Sequence, residues 1–96
     1  MKPWHDYTHT IASIAQSFVS VCQQCMTADQ MIAWAKDEIT PNDCMDANLV
    51  LDGIIENHGV QLWTDGHMDE DALNFFNACY AASDKLNKKL CKVEEQ

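Results

Sequence analysis

Arginine is absent from this chain of 96 residues and lysine is scarce, so the formal net charge at pH 7 is -9. Between Asp37 and Asp84 no lysine occurs, although this stretch holds most of the acidic residues. Proteins that bind DNA, RNA or anionic lipid normally use Lys or Arg for each phosphate contact. The composition therefore argues against direct binding to nucleic acid or membrane. It predicts a basic protein or a nucleoprotein complex as the partner.

A long hydrophobic run is also missing. Lys2 precedes the apolar-rich segment from Ile11 to Val21. However, polar residues follow Lys2 directly before this segment, and others interrupt the segment itself. A membrane span needs about 20 mainly apolar residues, and a signal peptide needs an unbroken apolar region. We therefore expect a protein that acts in the cytoplasm of its host cell.

Proline and glycine are rare, with 2 and 3 residues, whereas 47% of the residues are apolar. This balance is typical of a folded domain rather than a disordered chain. No repeat or linker divides the sequence, so we expect residues 1–96 to form a single helical domain. A domain of this size buries only roughly 65% of its unfolded surface, which leaves little stability to spare.

Apolar residues recur at helical spacing in the first third of the chain. They predict a first helix that starts near Asp6 or Thr8 and ends near Cys25. Its inner stripe comprises Ile11, Ile14, Ala15, Phe18, Cys22, Cys25 and Met26. The sequence from Thr27 to Gln30 has the form of a capping box and predicts a second, shorter helix. The inner stripe of that helix comprises Ala28, Met31, Ile32, Ala35 and Ile39, with Trp34 at its margin.

The segment Thr40-Pro41-Asn42-Asp43 has the pattern of another helix start. It offers a cap residue, a proline at the first helical position and an acid favoured by the helix dipole. We expect the third helix to continue to His58, where Gly59 ends it. Its inner side comprises Cys44, Ala47, Leu51, Ile54, Ile55 and His58.

A fourth helix is indicated by acids from Asp69 to Asp71 and by four lysines near the C-terminus, since both favour the helix dipole. Its predicted inner face comprises Ala72, Leu73, Phe76, Cys79, Tyr80, Leu86 and Leu90, and the lysines Lys85, Lys88, Lys89 and Lys92 are expected to form a solvated face. The preceding segment from Val60 to Gly66 is either a loop packed on the core or a short β-hairpin. The fold class is therefore all-α, a compact four-helix bundle, regular or irregular.

Cysteines and histidines are the residues most suited to metal or redox chemistry. The odd number of cysteines, in segments that have helical patterns, predicts reduced thiols rather than a disulfide framework. Cys22 and Cys25 have the spacing of zinc ligands, but a structural zinc site requires two further ligands. In addition, both sulfur atoms are predicted to lie in the apolar stripe of the first helix. His5 and His9 would share a helix face without a visible third ligand. We expect no cofactor, and a metal site is the alternative.

Motifs for catalysis are lacking as well. No Gly-x-Ser-x-Gly sequence or phosphate-binding loop occurs. The segment from Asp65 to Asp71 has acids like those of a calcium loop, but Gln61, Trp63 and Ala72 stand where ligand oxygens are needed. The sequence therefore predicts a protein that is not an enzyme.

The outer surface of the predicted third helix is the most unusual feature. On a helical wheel Met45 and Leu49 point away from the core, and three acids lie on the same outward half. Apolar anchors with charge of one sign around them are typical of a protein interface. The candidate partner-binding residues are Asp43, Met45, Asp46, Leu49, Asp52, Glu56, Asp65, Asp69 and Glu70. Alternatively, Met45 and Leu49 pack against the segment from Val60 to Trp63 or against a second copy of the chain.

Two functional hypotheses follow from these observations. In the first, the protein binds stoichiometrically to a basic, nucleic-acid-binding partner, as do phage or mobile-element inhibitors such as anti-CRISPR or anti-restriction DNA mimics. In the second, it is a small oligomeric or metal-binding helical module. There a homodimer would form through Met45, Leu49, Trp34 and Trp63, and the cysteines or histidines would hold an ion.

Overall fold

Four α-helices and one short hairpin follow one another along the chain. The computed structural model describes residues 7–94, except for the side chains of Thr64 and residues 92–94. The helices are α1 (Thr8–Cys25), α2 (Ala28–Ala35), α3 (Ala47–Asn57) and α4 (Glu70–Glu94), and the hairpin strands are β1 (Trp63–Thr64) and β2 (His67–Met68). The predicted all-α four-helix architecture is confirmed.

The core lies where α4 packs against α1 and α2, and α3 packs against α1 as well. Phe18 of α1 is fully buried at the centre, with its ring centroid 5.5 Å from that of Tyr80 and 6.3 Å from that of Trp34. Trp34 is only 3% exposed, so it belongs to the core rather than to a margin. The predicted stripe of α1 is buried except for Cys25. The helix ends at Cys25, and Met26, which also belongs to the predicted stripe, is buried.

The predicted capping box between α1 and α2 is confirmed. Thr27 Oγ1 accepts a hydrogen bond from Gln30 N at 3.2 Å, and Thr27 N donates to Gln30 Oε1 at 2.9 Å. Helix α2 is shorter than predicted because the chain leaves it after Ala35, and Asp37 adopts a left-handed conformation with a φ of 61°. Ile39 therefore lies outside the helix, and Met31 and Trp34 are its buried residues.

The predicted single helix from Thr40 to His58 is wrong, because two start signals follow each other. The first forms one 3-10 turn (Pro41–Asp43), in which Asp43 Oδ2 accepts from Thr40 N at 2.6 Å. The second caps α3, where Asp46 Oδ1 accepts from Leu49 N at 3.3 Å. Met45 lies between the two elements. It is partly buried against the core and does not share a helix face with Leu49.

Helix α3 ends in a Schellman motif. Gly59 has a φ of 77°, its N–H donates to Glu56 O at 2.9 Å, and Val60 N donates to Ile55 O at 3.3 Å. This arrangement satisfies carbonyl groups that the helix end leaves without partners. His58 is the C-cap and is exposed, so its prediction as a core histidine is wrong.

The segment before α4 forms the hairpin rather than a plain loop. Its two-residue turn consists of Asp65 and Gly66, with φ values of 54° and 87°. Two positive φ values are the mark of a type I′ turn, which Asp-Gly favours. Leu62 is buried beneath the hairpin at 4% exposure, whereas Trp63 is 47% exposed.

Helix α4 begins as predicted, since Asp69 Oδ1 accepts from Ala72 N at 2.8 Å. Its inner face is rotated from the predicted one. The buried residues of α4 are Ala72, Phe75, Cys79, Ser83, Asn87 and Cys91, whereas Leu73 and Leu90 are 48% and 40% exposed. Among the polar members, Ser83 Oγ donates to Tyr80 O at 2.7 Å and Asn87 Oδ1 accepts from Cys91 Sγ at 3.3 Å, whereas Asn87 Nδ2 is buried without a hydrogen-bond partner.

Candidate protein-binding site

An open groove lies between α3, the hairpin and α4, with a volume of about 660 Å³. We call it the α3–α4 groove. It is lined by Asp46, Asn48, Leu49, Asp52, Trp63, Met68, Leu73, Phe76, Asn77 and Tyr80. Aromatic and aliphatic side chains make up most of this lining, so the groove is an apolar surface with a few polar groups.

The α3 wall consists of residues at three-residue spacing from the helix start. Asp46, Leu49 and Asp52 lie on neighbouring positions of one side, because residues three apart are adjacent on a helix surface. Leu49 is 68% exposed. The hydrogen bond from Leu49 N fixes the Asp46 carboxylate at the first turn, so the cap also places a negative charge at the end of the groove.

The hairpin contributes a cross-strand pair. Trp63 is directly opposite Met68 in the register, and opposite residues in an antiparallel pair project to the same face. Both line the groove. The indole Nε1 of Trp63 donates to Asp52 Oδ1 at 3.3 Å, which connects the hairpin to α3.

The α4 wall is a second stripe next to the buried one. Leu73, Phe76, Asn77 and Tyr80 have the spacing i, i+3, i+4 and i+7, which places them along one side of a helix. Leu73 is the most exposed apolar residue of this wall, and the rings of Phe76 and Tyr80 are 6.0 Å apart. Helix α4 therefore has two adjacent apolar stripes, one in the core and one in the groove.

Exposed large apolar side chains are concentrated in this groove. Among the residues that the structure describes, four such side chains are exposed: Leu49, Trp63, Leu73 and Leu90. Three of the four line the α3–α4 groove, and only Leu90 lies elsewhere. Clustered apolar exposure of this kind marks interaction sites, whereas single exposed apolar residues need no explanation.

The charge of the groove has one sign. Its charged lining residues are Asp46 and Asp52, and all its lining residues fall within the lysine-free stretch from 37 to 84. The described C-terminal lysines lie elsewhere. Lys88 Nζ is 2.9 Å from Asp37 Oδ1 and 3.3 Å from Asp84 Oδ2, and these hydrogen bonds raise the pKa of Lys88. Lys85 and Lys89 line a separate depression beside α1, and the side chain of Lys92 lies outside the described residues.

Tyr80 joins the groove to the core. Its ring packs against Phe18, while its hydroxyl is covered and has no hydrogen-bond partner. Burial is the main cause that raises the pKa of Tyr80, and the nearby Cys22 and Asp46 add to it. An unpaired buried hydroxyl is costly, so Tyr80 carries a polar group that the folded domain alone does not satisfy.

The candidate residues from the sequence have different positions. Asp46, Leu49 and Asp52 meet in the groove. Asp43 accepts a hydrogen bond in the 3-10 turn, and Asp69 caps α4. Asp65 is in the hairpin turn, and Met45 is partly buried. Glu56 and Glu70 are exposed outside the groove lining. The candidate partner-binding residues did not include Trp63, Met68, Leu73, Phe76 or Tyr80, and Trp63 was grouped with Leu49 only in the homodimer hypothesis. The double apolar stripe of α4 is the signal that could have indicated the last three.

The capacity of the chain for metal and thiol chemistry depends on how its cysteines and histidines are placed. Among the side chains that the structure describes, no group of three or more His, Cys, Asp or Glu is placed to hold a metal ion, and His5 is not one of them. No disulfide joins the five cysteines. Burial raises the pKa of Cys22 and of Cys79 to about 12, with Cys25 and Cys44 adding to the shift at Cys22. These two thiols are therefore protonated at neutral pH, and a protonated thiol is a poor nucleophile and metal ligand.

Comparisons of the chain with models of known protein families, with curated proteins and with solved structures find no match. Within the described helices, none combines the length and the apolar character that crossing a membrane requires. The features that bear on function are therefore the geometry and charge of the α3–α4 groove.

Proposed function

We propose that this protein acts by stoichiometric binding to a basic protein partner through the α3–α4 groove, without catalysing a reaction. One observation carries the proposal. Three of the four exposed large apolar side chains of the described chain meet in a groove whose charged residues are Asp46 and Asp52. Apolar anchors beside charges of one sign give an interface both binding free energy and a preferred partner.

The anchors are large enough to matter energetically. Full burial of one Leu side chain contributes roughly 1.5–3 kcal/mol, and a Trp buries more apolar area. Leu49, Trp63 and Leu73 together therefore contribute several kcal/mol when a partner covers them. Association itself costs about 4–15 kcal/mol, so the anchors need a surrounding complementary surface. The negative charge of the protein supplies that complementarity toward a basic partner.

Nucleic-acid-binding proteins are the basic partners that we favour. Their Lys and Arg side chains face phosphates when nucleic acid is bound, and carboxylates compete for the same positions. More specifically, we propose that the protein is an inhibitor of phage or mobile-element origin, such as an anti-CRISPR or anti-restriction protein that mimics DNA. The net charge of -9 and the lysine-free stretch support this form.

Self-association is the competing use of the same surface. In a symmetric dimer each groove would meet a copy of itself, which brings Asp46 and Asp52 of both chains together. Like charges in a desolvated interface are unfavourable. Trp34 no longer supports a dimer because it is buried in the core.

The test is affinity capture from the host cell with the wild-type protein, Leu49→Asp and Leu90→Asp. Leu49 and Leu90 are both exposed leucines, but only Leu49 lines the groove. We expect wild type and Leu90→Asp to retain one basic protein and Leu49→Asp to lose it. With purified components, the complex should have a fixed stoichiometry and weaken as salt rises. Equal capture by all three proteins, or a wild-type homo-oligomer in place of a complex, would overturn the proposal.

A further inference from the structure

The α3–α4 groove combines two kinds of group that are seldom satisfied together. Its aromatic side chains are Trp63, Phe76 and Tyr80, and its carboxylates are Asp46 and Asp52. A purely apolar occupant would suit the rings but would remove both carboxylates from water without supplying a positive charge. Uncompensated burial of a carboxylate is strongly unfavourable. The occupant must therefore bring positive charge into the groove as well as apolar surface.

An arginine side chain meets both needs. Its guanidinium is flat and delocalised, stacks on aromatic faces, and pairs with carboxylates through two parallel hydrogen bonds. A lysine ammonium is compact and more strongly hydrated, so it loses more hydration in an apolar groove. The chain contains no arginine of its own, so neither this molecule nor a second copy of it supplies such a side chain.

The carboxylates are held in place for such a contact. Asp52 Oδ1 accepts from the Trp63 indole at 3.3 Å, and Asp46 Oδ1 accepts from Leu49 N at 3.3 Å. An ionised carboxylate offers about four acceptor positions, so one hydrogen bond leaves acceptor capacity on each. Because Trp63 holds Asp52, a ring and a carboxylate already lie side by side before any partner binds. Such preorganisation reduces the entropic cost of recognition.

We propose that the α3–α4 groove receives an arginine side chain of the partner, with its guanidinium against Trp63 and paired with Asp52. This inference deepens the proposed function and depends on it, since the arginine belongs to the basic partner. The leucines around the site, Leu49 and Leu73, cover the aliphatic part of that side chain or its neighbours. Arginine and aromatic residues are the residue types that most often dominate binding energy in protein interfaces.

The test is an NMR titration of the whole protein with three short peptides that differ at one position, which is arginine, lysine or citrulline. Citrulline has nearly the shape of arginine without its charge. The probe is the indole N–H resonance of Trp63, assigned by its loss in Trp63→Phe. We expect a saturable shift with the arginine peptide, binding at least about threefold weaker with lysine, and no saturable shift with citrulline.

Two conservative variants separate the groove from the general acidity of the surface. Asp52→Asn keeps the oxygen that accepts from Trp63 but removes the charge, and it should weaken binding of the arginine peptide by at least about threefold. Glu56→Gln removes a charge from the same helix outside the groove lining and should leave binding unchanged. Equal weakening by both variants, or no saturable shift of Trp63, would overturn the arginine site. If Leu49→Asp still abolishes capture of the partner in that case, the proposed function survives the failure of this inference.

Discussion

Asp52 Oδ1 accepts a hydrogen bond from the indole Nε1 of Trp63 at 3.3 Å, and this contact connects α3 to the hairpin. The two residues lie eleven positions apart in sequence. Their contact depends on the Schellman motif that ends α3 and on the type I′ turn that reverses the hairpin. The hydrogen bond joins α3 and the hairpin into one side of the α3–α4 groove. On that side an exposed indole ring and a carboxylate lie next to each other.

Asp46 has two roles that substitutions can separate. Its side chain caps α3, and its charge lies in the groove. Asp46→Ala should lower the free energy of unfolding by about 1 kcal/mol because the cap is lost. Asp46→Asn should keep the stability close to wild type, since Asn is an equally good cap, yet should weaken binding to a basic partner. Urea unfolding measures the first effect, and equal stability losses in both variants would contradict the capping role.

The hairpin turn positions Trp63, and Gly66 can be tested for this. Gly66 has a φ of 87°, and a methyl group added there would meet no atom within 4 Å. Gly66→Ala should therefore destabilise the protein by about 1 kcal/mol through backbone strain alone, and it should weaken partner binding by disturbing Trp63.

Gly53 provides the matched control, because it lies in α3 with a negative φ and equally open space. Gly53→Ala should raise the free energy of unfolding by about 1 kcal/mol through better helix propensity. Thermal or urea unfolding of both variants checks the opposite signs. A stabilised Gly66→Ala would show that the turn is not of type I′.

The covered hydroxyl of Tyr80 gives a third prediction. Since this hydroxyl has no hydrogen-bond partner, Tyr80→Phe should not lower the free energy of unfolding and should raise it by about 1 kcal/mol. The aromatic contacts with Phe18 and Phe76 are retained in the variant. Equilibrium unfolding in urea is the measurement. A clear loss of stability would mean that the hydroxyl has a partner that stabilises the fold.

The buried thiols make stability depend on alkaline pH. The pKa of Cys22 and Cys79 is about 12 in the folded protein against an ordinary value of 9.0, because burial disfavours the thiolate. Above pH 9 the unfolded chain loses these protons while the folded chain keeps them, so the unfolded state binds fewer protons. The stabilisation that these thiols provide is therefore complete below about pH 9 and is lost as pH rises toward 12.

Urea unfolding at several values between pH 8 and pH 11 measures this decline, which should become shallower in Cys79→Ala. An identical slope in wild type and Cys79→Ala would contradict the role of the buried thiol.

Local signals in the sequence were sufficient for the ends of several elements. Helix α1, the capping box of Thr27 and Gln30, and the start of α4 at Asp69 follow from cap residues and apolar spacing, and the structure confirms them. These features depend on neighbours within one turn of helix. For that reason a single sequence contains the information that determines them.

Features that depend on tertiary contacts could not be obtained in the same way. The inner face of α4 includes Ser83 and Asn87, which are polar yet fully buried; hydrogen bonds with Tyr80 O and Cys91 offset part of the cost, although Asn87 Nδ2 has no partner. A pattern that counts only apolar residues rotates the face toward Leu73. The third helix was predicted too long for a similar reason, since both Thr40 and Asp46 resemble helix starts and only the folded chain shows that each is used.

The candidate site was predicted in part. Asp46, Leu49 and Asp52 were selected from the outer face of the third helix, and they do lie together in the groove. Trp63 and Leu73 join them only because the hairpin and α4 pack beside α3. Glu56 was predicted from the same outward half of the helix and Glu70 from its charge, but both lie outside the groove lining, because a helical wheel and charge do not show which acids lie next to apolar anchors.

The most direct test of the central claim is the affinity of the captured partner for wild type, Leu73→Asp and Leu90→Asp, measured by calorimetry. Both leucines are on α4 with similar exposure, 48% and 40%, but only Leu73 lines the α3–α4 groove. We predict that Leu73→Asp raises Kd at least about tenfold, equivalent to about 1.4 kcal/mol, and that Leu90→Asp leaves Kd unchanged. The assignment of the groove as the binding site would be contradicted if Leu73→Asp and wild type bound the partner with equal affinity. It would also be contradicted if only Leu90→Asp lost affinity for the partner.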